Sequence, residues 1–260
     1  AHELASLGVH VVITGRKQEK LDRVLAEIAE DGGSAEARAF DIRDEEAVKA
    51  AVESIVSARG RIDGLVNNAG GQFPAPMETI SKKGFDAVVA NNLTGGFVVM
   101  REVFVQSMQA HGGAVVNMAA DMWRGMPGMA HSGAARAGMV NLTKTAAYEW
   151  GPAGVRVNCV APGWVASSGM DTYDGMTKAL IPTLKKHVPL GRIGVEAEVS
   201  SVICFLLSPA ASFVTGVTVP IDGGSPLGSA LFPIGKGRGT EPFDGFHRAV
   251  VPQVLSETRD

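Results

Sequence analysis

The stretch Val9-His10-Val11-Val12-Ile13-Thr14-Gly15 decides the fold of this 260-residue chain. Its β-branched residues predict a strand that ends at Gly15, and apolar residues then recur at helical spacing from Leu21 to Ile28. The same unit returns along the chain, with further strands predicted over 36–42, 62–66, 114–118, 155–161 and 217–221. This alternation predicts parallel strands joined by right-handed crossovers, which is a doubly wound α/β sheet with its functional residues at the carboxyl ends of the strands.

The helical patterns between these strands complete a single Rossmann-type domain over 1–224. Helices are predicted around Val48 to Ile55, up to about His111, and over 132–150 and 197–207. Residues 1–7 resemble the end of an amphipathic helix, without the strand that such a fold places before it. We therefore expect that a central N-terminal strand and its glycine-rich loop are missing from this sequence. Residues 225–260 are rich in Gly and Pro and are predicted to form a C-terminal arm or tail.

Composition limits the classes of partner. The formal net charge of −3 gives no overall positive field for nucleic acid, and no apolar run approaches the about 20 residues of a membrane-spanning helix. The two cysteines, Cys159 and Cys204, have neither the spacing of a metal site nor that of a redox pair. We expect a cytoplasmic protein with no metal, no nucleic-acid partner and no membrane partner.

Four motifs follow one another in register with the strand pattern. They are Asn67-Asn68-Ala69-Gly70, Asn92-Leu93-Thr94-Gly95, Arg156-Val157-Asn158-Cys159-Val160-Ala161-Pro162-Gly163 and Asp222-Gly223-Gly224. In this order and spacing they resemble the short-chain dehydrogenase/reductase family over about residues 1–225. The resemblance implies a nicotinamide dinucleotide cofactor. It also implies a homo-oligomer, a tetramer or a dimer, that pairs through the helices near 84–111 and 132–150 and through the last strand.

A narrower resemblance comes from three segments. His131-Ser132-Gly133-Ala134-Ala135-Arg136-Ala137-Gly138, Gly71-Gln72-Phe73 and residues 192–213 are similar to the peroxisomal trans-2-enoyl-CoA reductases of the family. This implies an acyl-CoA substrate. The basic residues Lys185, Lys186, His187 and Arg192 are candidates for contact with the phosphates of CoA, although an exposed charged surface has the same pattern.

The cofactor residues can be assigned in part. Arg16 and Lys17 end the strand 9–14 with no acidic residue to accept the ribose 2′-hydroxyl of NAD, which favours the 2′-phosphate of NADP, unless both residues only begin a solvated helix. The remaining positions are implied by the family resemblance: Asp41 and Ile42 beside adenine, Asn68, Ala69 and Gly70 where the backbone approaches the ribose and pyrophosphate, Arg136 at the nicotinamide ribose, and Pro162, Gly163 and Val165 at the carboxamide.

The catalytic positions depart from the family. Most members use an Asn, Ser, Tyr and Lys set, in which the Tyr protonates an alkoxide. Here Asn92 is kept, Ser132 takes the Tyr position, Arg136 takes the Lys position, and Ala119 or Ala120 takes the Ser position. A serine hydroxyl is a weak acid and an arginine does not relay protons, so carbonyl reduction is poorly served.

Reduction of an enoyl thioester makes a different demand. Charge collects on the thioester oxygen, which needs hydrogen-bond donors more than an acid. The sequence therefore predicts NADPH-dependent reduction of the C=C bond of trans-2-enoyl-CoA or a related acyl thioester, with Ser132 as a donor. The alternatives are a 2,4-dienoyl-CoA reductase, a carbonyl or alcohol oxidoreductase, and a non-catalytic member that binds nucleotide or acyl-CoA.

The source of the proton stays open at the level of sequence. The enoyl-CoA reductases have a Tyr four residues after the Arg, where this chain has Val140. Tyr173 lies in the segment where the family has its substrate lid and is a catalytic candidate, whereas helical periodicity predicts a core position for Tyr148. His131 and Asp121 are further candidates, each with a structural role as the alternative.

Overall fold

The computed structural model describes residues 1–173, 175–227, 234, 235, 237 and 239–256. Its strands pair in parallel throughout. In chain order they are β1 Val11–Gly15, β2 Ala35–Ala39, β3 Gly64–Asn67, β4 Gly113–Met118, β5 Val155–Pro162, β6 Val165–Ala166, β7 Gly194–Val195 and β8 Thr218–Ile221. The predicted alternation of strands and helices is confirmed.

Eight helices connect or flank the strands. They are α1 His2–Ser6, α2 Gln18–Glu30, α3 Glu45–Arg59, α4 Lys82–His111, α5 Ala130–Trp150, α6 Gly175–Leu180, α7 Glu196–Leu207 and α8 Gln253–Ser256 within the described residues. Short 3-10 segments cover Met77–Thr79, Gly151–Ala153, Ser168–Thr172, Ile181–His187 and Pro209–Ala211. Asp44 and Ser81 cap α3 and α4 by accepting the backbone N–H groups of Ala47 and Gly84.

Helices cover both faces of the main sheet. Successive residues of a strand point to opposite faces, and β4 shows this directly. Val115 belongs to a core cluster under α3, α4 and α5, whereas Val116 packs against Ile203 and Leu206 of α7. The doubly wound, single-domain α/β fold is thereby confirmed.

The sheet is divided into two parts. β1 pairs with β2, and a separate sheet has the order β3-β4-β5-β8. In the described part of the chain, neither β1 nor β3 has a strand hydrogen-bonded to its other edge, and Ile13 and Val66 are only half-buried.

A chain of buried amides links two strands to α5. Asn67 Nδ2 donates to Asn117 Oδ1 at 2.9 Å, and Asn117 Nδ2 donates to Thr143 Oγ1 at 2.9 Å. Thr143 in turn donates to the carbonyl oxygen of Met139 at 2.8 Å. Asn117 and Thr143 are fully buried, so this chain fixes β3, β4 and α5 relative to one another in the core.

Helix α4 contains two π-helical segments, Ala90–Thr94 and Phe104–Met108. By length and composition α4 is the one helix of the described residues that could cross a membrane. A core helix of a globular domain has the same composition, and α4 carries Val98, Met100 and Val103 of the main core cluster.

The described residues of the C-terminal arm cross the molecule. Arg192 donates to the carbonyl oxygens of Thr240 and Glu241, and Arg248 donates to Asp31 and to the Glu30 side chain at the end of α2. Farther along, both carboxylate oxygens of Asp171 accept backbone N–H groups at the start of α8. The arm thus joins α2 to the segment 168–193, which we call the lid.

Two expectations from the sequence need correction. The second strand ends at Ala39, and Asp41 and Ile42 lie in the turn that follows, because Asp41 accepts a backbone hydrogen bond from Asp44 there. The predicted core position of Tyr148 was wrong, since its side chain is 87% exposed. The buried face of α5 includes Thr143 and Ala147, and Tyr148 lies about 100° beyond Ala147 around the helix.

Candidate active site

The candidate site lies where the strands of the main sheet end. The loop after β3 contains Gly70 and Gln72, and the loop after β4 contains Asp121. The Asp121 N–H donates to the carbonyl oxygen of Pro162 at 2.9 Å, which ties the loop after β4 to the end of β5. Parallel strands bring these three loops to one edge.

Asn92 is held at this edge by the first π-helical segment of α4. Its Nδ2 donates to the carbonyl oxygen of Gly71 at 2.6 Å and to that of Val88 at 2.9 Å, and its Oδ1 accepts the Gly71 N–H at 3.2 Å. The side chain is buried. Asn92 therefore positions the loop after β3.

Arg136 reaches the same loop from α5. Its Nη1 donates to the carbonyl oxygen of Met118 at 2.6 Å. A Cβ added to Gly70 would lie 2.8 Å from Arg136 Nη2 and 2.5 Å from Asn92 Oδ1, so only glycine fits there. Burial lowers the pKa of the Arg136 guanidinium, and its Nε is buried without a hydrogen-bond partner. The structure thus brings Asn92, Arg136 and Gly70 together.

Ser132 makes a contact that the sequence reasoning missed. Its hydroxyl donates to Gln72 Oε1 at 2.7 Å, and Ser132 itself is fully buried. Gln72 is exposed, and its amide nitrogen has no hydrogen-bond acceptor among the described residues. The signal that could have found Gln72 is its place directly after a glycine pair at the end of a strand, where a side chain reaches the ligand side of the sheet.

His131, beside Ser132, is enclosed. Its ring is fully buried and packs edge-on against Phe73, with the ring centroids 4.5 Å apart. Its Nδ1 accepts the backbone N–H of Ser132 at 2.8 Å, and its Nε2 has no partner. His131 therefore packs against Phe73 and supports the start of α5.

The residues assigned to the adenosine end of the cofactor lie at the ends of β1 and β2. Arg16 and Lys17 are exposed directly after β1. Arg43 donates to both oxygens of Asp41 and lowers the pKa of that carboxyl to about 2, and the charge of Arg16 acts in the same direction. Ile42 lies against Gly95, where a Cβ would be 2.8 Å from the Ile42 side chain.

The predicted nicotinamide loop follows β5. The Gly163 N–H donates to the carbonyl oxygen of Ile221 at 3.0 Å, and a Cβ on Gly163 would lie 2.8 Å from that of Asp222. Val165 belongs to β6, which pairs with β7. This arrangement places Pro162, Gly163 and Val165 beside the end of β8.

The residues present fit a nicotinamide dinucleotide. Asn68, Ala69 and Gly70 are exposed after β3, and the absence of a Cβ at Gly70 leaves room for the Asn92 and Arg136 side chains. The partnerless Arg136 Nε is a buried donor beside them. Arg16 offers an exposed positive charge for a phosphate at the far end.

Several candidates lie outside this constellation. Tyr173 packs in a cluster with Met170, Ile181 and Val254 of the lid and arm. Lys185, Lys186 and His187 are exposed on the lid, and Arg192 is paired with Glu198. Among the residues that the structure describes, no group of three or more His, Cys, Asp or Glu side chains is arranged to hold a metal ion.

The chain is similar to known reductases and dehydrogenases. The chain is 37% identical over 231 residues to a probable 2,4-dienoyl-CoA reductase of Bacillus subtilis, covering 86% of this chain and 89% of that protein. It is 35% identical to a peroxisomal 2,4-dienoyl-CoA reductase of Danio rerio, covering 88% and 77%. The solved structure of the citronellol catabolism dehydrogenase AtuB of Pseudomonas aeruginosa is 58% identical, with a TM-score of 0.79 and coverage of 87% and 88%.

A family model described as enoyl-(acyl carrier protein) reductase matches residues 1–225. That range takes in all eight strands and the loops that carry Gly70, Asn92, Ser132 and Arg136. The match, the relatives and the shared fold support an oxidoreductase, and the chain belongs to the short-chain dehydrogenase/reductase family.

Proposed function

We propose that this protein uses NADPH to reduce the C=C bond of trans-2-enoyl-CoA or a related α,β-unsaturated acyl thioester. The observation that carries the proposal is the hydrogen bond from Ser132 to Gln72 Oε1. Through this bond a fixed amide takes the place of the usual tyrosine. An amide donates hydrogen bonds but does not give up a proton. An enolate oxygen needs such donors, whereas an alkoxide needs an acid.

The side chains divide the work. Ser132 holds the Gln72 carboxamide by its oxygen, so that its N–H groups are directed to a ligand and bind the thioester oxygen. Asn92 holds the loop after β3, and Arg136, which bonds to the end of β4, holds the cofactor ribose. When bound, NADPH supplies the hydride. Because Ser132 is buried, it acts through Gln72 rather than on the substrate.

The preference for NADPH is supported by charge. Arg16 is exposed at the end of β1, and the carboxylate of Asp41 is already paired with Arg43. An arginine at this position binds the 2′-phosphate of NADP, and a free carboxylate would be needed for the 2′-hydroxyl of NAD.

The test is oxidation of NADPH, followed at 340 nm, with trans-2-enoyl-CoA, 2,4-dienoyl-CoA and 3-oxoacyl-CoA as parallel substrates. Turnover of the 2-enoyl thioester well above the other two is expected. Tight NADPH binding without turnover of any thioester contradicts the proposal and favours a protein that only binds its ligands.

A second candidate is oxidation or reduction within the breakdown of a branched terpenoid alcohol. It is favoured by the 58% identity to the citronellol catabolism dehydrogenase. Citronellol and citronellal with NADP⁺ or NADPH distinguish it from the first proposal. Oxidation of the alcohol requires a base that takes the hydroxyl proton, and reduction of the aldehyde requires an acid at the carbonyl oxygen; neither Ser132 nor Gln72 supplies such a group.

We also propose that the protein assembles as a homodimer or homotetramer through α4 and α5. The support is the exposed apolar surface of these helices, on which Val105 is 58% and Tyr148 is 87% exposed. Light scattering after size-exclusion chromatography tests this, and a monomeric mass at micromolar concentration contradicts it.

A further inference from the structure

Reduction of an enoyl thioester also needs a proton at the α-carbon, and the side chains around Arg136 do not supply it. The Ser132 hydroxyl donates its only hydrogen in the bond to Gln72, and the His131 ring is fully buried against Phe73. Neither tyrosine is in place, because Tyr148 faces outward from α5 and Tyr173 packs in the lid cluster. None of these four side chains is placed to protonate the α-carbon.

Asp121 lies between the two parts of the site. It follows β4 three residues after Met118, whose carbonyl oxygen is held by Arg136. Its own N–H donates to the carbonyl oxygen of Pro162, at the start of the loop assigned to the nicotinamide. The Asp121 backbone is thus anchored to both the Arg136 side and the cofactor side of the site, and its side chain is half-buried.

A second carboxyl group lies near this loop at the end of β8, because the Asp121 N–H bonds to Pro162 and Asp222 packs against the next residue, Gly163. Asp222 lies against Gly163, its Oδ1 accepts the Gly224 N–H at 2.8 Å, and its Oδ2 is buried without a partner. A negative charge in the neighbourhood disfavours ionisation of a carboxyl group.

The other charges around Asp121 do not cancel this effect. Burial, then the charge of Asp222, raises the pKa of Asp121, while the N–H of Trp123 and the charge of Arg124 act in the opposite direction. Asp222 is thus the charged neighbour that favours the protonated form, and it comes from a different element.

We propose that Asp121 is the catalytic acid that protonates the α-carbon of the enoyl thioester, with Asp222 as the positioning residue that keeps it protonated. This role rests on the proposed C=C reduction. The hydride adds to the β-carbon and the π electrons move to the thioester as an enolate. The enolate then takes the proton of the Asp121 carboxyl at the α-carbon. The products are the saturated thioester and NADP⁺, and the Asp121 carboxylate takes a proton from water.

The test combines kinetics with a measurement on the ligand-free protein. Asp121→Asn keeps the size of the side chain and its acceptor oxygen but carries no acidic proton. We expect kcat with trans-2-enoyl-CoA to fall by about 100-fold, with KM and the Kd of NADPH changed by less than about threefold. In the unaltered protein, kcat should decrease at high pH as Asp121 loses its proton. In Asp121→Asn we expect that decrease to disappear.

Asp222→Asn gives an independent readout. It removes the neighbouring negative charge, so the pKa of Asp121 falls and the decrease of kcat moves to lower pH. In the free protein, carbon-13 NMR should show that the carboxyl signal lost in Asp121→Asn titrates above the ordinary value for Asp and moves down in Asp222→Asn. Asp63→Asn, at an exposed position near the opposite end of the sheet, is the matched control and should change neither property.

The outcomes separate the two proposals. If Asp121→Asn keeps kcat within about threefold of the unaltered protein and keeps its pH profile, the role of Asp121 is wrong while C=C reduction stands. If the unaltered protein reduces no enoyl thioester, the proposed function fails and the role of Asp121 fails with it.

Discussion

At the scale of single residues, the contact between Ser132 and Gln72 changes the reading of the catalytic motif. The sequence shows that serine replaces tyrosine, which indicates a lost acid. It does not show where the serine hydroxyl points, because the partner lies sixty positions away in the chain. In the structure, the Ser132 hydroxyl fixes the Gln72 amide, a hydrogen-bond donor, in the loop after β3.

The first prediction concerns Gln72. Removal of one preorganised donor to a developing oxyanion costs about 10²- to 10³-fold in kcat. We expect Gln72→Ala to lose kcat with trans-2-enoyl-CoA by that factor and to leave NADPH binding unchanged. Steady-state kinetics and fluorescence titration of NADPH measure the two quantities.

The control is Gln109→Ala, because Gln109 is an exposed glutamine on the last turn of α4. Ser132→Ala should show a smaller loss than Gln72→Ala, since it frees the amide without removing it. If Ser132→Ala were the more damaging of the two, Ser132 would act on the substrate itself.

The residues that the motifs name are those the sequence predicts best. Gly70, Asn92 and Arg136 converge as expected, because each follows a strand end or faces one from an adjacent helix. Gln72 was named only for its resemblance, and Tyr148 was misplaced. The contacts of both residues depend on the direction of the side chain. Periodicity does not give that direction for Gln72 in a loop, and on a helix it gives the direction only to within a neighbouring position.

At the scale of elements, the end of α7 depends on one side chain from the sheet. Arg156, on β5, donates through Nη1 to the carbonyl oxygen of Leu206 at 2.7 Å and through Nη2 to those of Leu207 and Ser208. The last carbonyl groups of a helix have no partner within it. Arg156 satisfies them and fixes α7 against the sheet.

We therefore predict that Arg156→Met destabilises the protein. The carbonyl groups at the end of α7 lose charged hydrogen bonds, and the expected cost is about 3 kcal/mol, or a fall in Tm of about 6 to 12 °C. Calorimetry or thermal unfolding followed by circular dichroism measures it.

Arg61→Met serves as the comparison, because the side chain of Arg61 is half exposed and pairs only with the exposed Asp63 in the described residues. Equal losses of stability in the two variants would show that the contacts of Arg156 at α7 contribute nothing specific.

The order of elements was predictable from sequence, whereas the sequence-based ends of elements were less accurate. β2 stops at Ala39 although the apolar pattern continues through Phe40 to Ile42. The turn around Asp41 ends the strand there, since the Asp41 carbonyl oxygen accepts the Asp44 N–H and Asp44 then caps α3. Hydrogen bonds of this kind compete locally with strand pairing, and hydrophobic periodicity does not register them.

At the scale of the whole molecule, the C-terminal arm connects parts of the fold that are distant in sequence. Arg248 binds Asp31 at the end of α2, and Asp171 of the lid binds the start of α8. Sequence composition predicts an arm for 225–260 but not its attachment points. Those points join groups more than eighty positions apart, a pair of charges in one case and a carboxylate with backbone N–H groups in the other.

The attachment at α2 is predicted to depend on pH. The hydrogen bond from Arg248 is the largest cause of the lowered pKa of Asp31, followed by smaller contributions that include His247. Because the folded pKa lies below the ordinary value of 3.8, this attachment is complete above that pH and is lost as the pH falls below it. Hydrogen exchange at the amides of 245–249 should accelerate accordingly, after correction for the intrinsic rate.

Arg248→Gln should show the faster exchange at neutral pH as well, because the charge that holds Asp31 is absent at every pH. Arg23→Gln alters an exposed arginine of α2, the helix to which the arm is attached, and should leave the exchange of the arm unchanged. Slow exchange of 245–249 in Arg248→Gln would mean that other contacts hold the arm.

The buried chain of Asn67, Asn117 and Thr143 has a consequence for which sequences this fold accepts. The fully buried Asn117 accepts from Asn67 and donates to Thr143, so loss of either neighbour removes a partner of the Asn117 amide, whereas Asn67 and Thr143 also bond to the carbonyl oxygens of Gly96 and Met139. Triplets that keep Asn117 but replace Asn67 or Thr143 by an apolar residue therefore carry a penalty. If the three codons are randomised together and folded variants are selected, the survivors that keep Asn117 should almost always keep polar residues at 67 and 143. The residues accepted at 67 and 143 would then depend on the residue at 117.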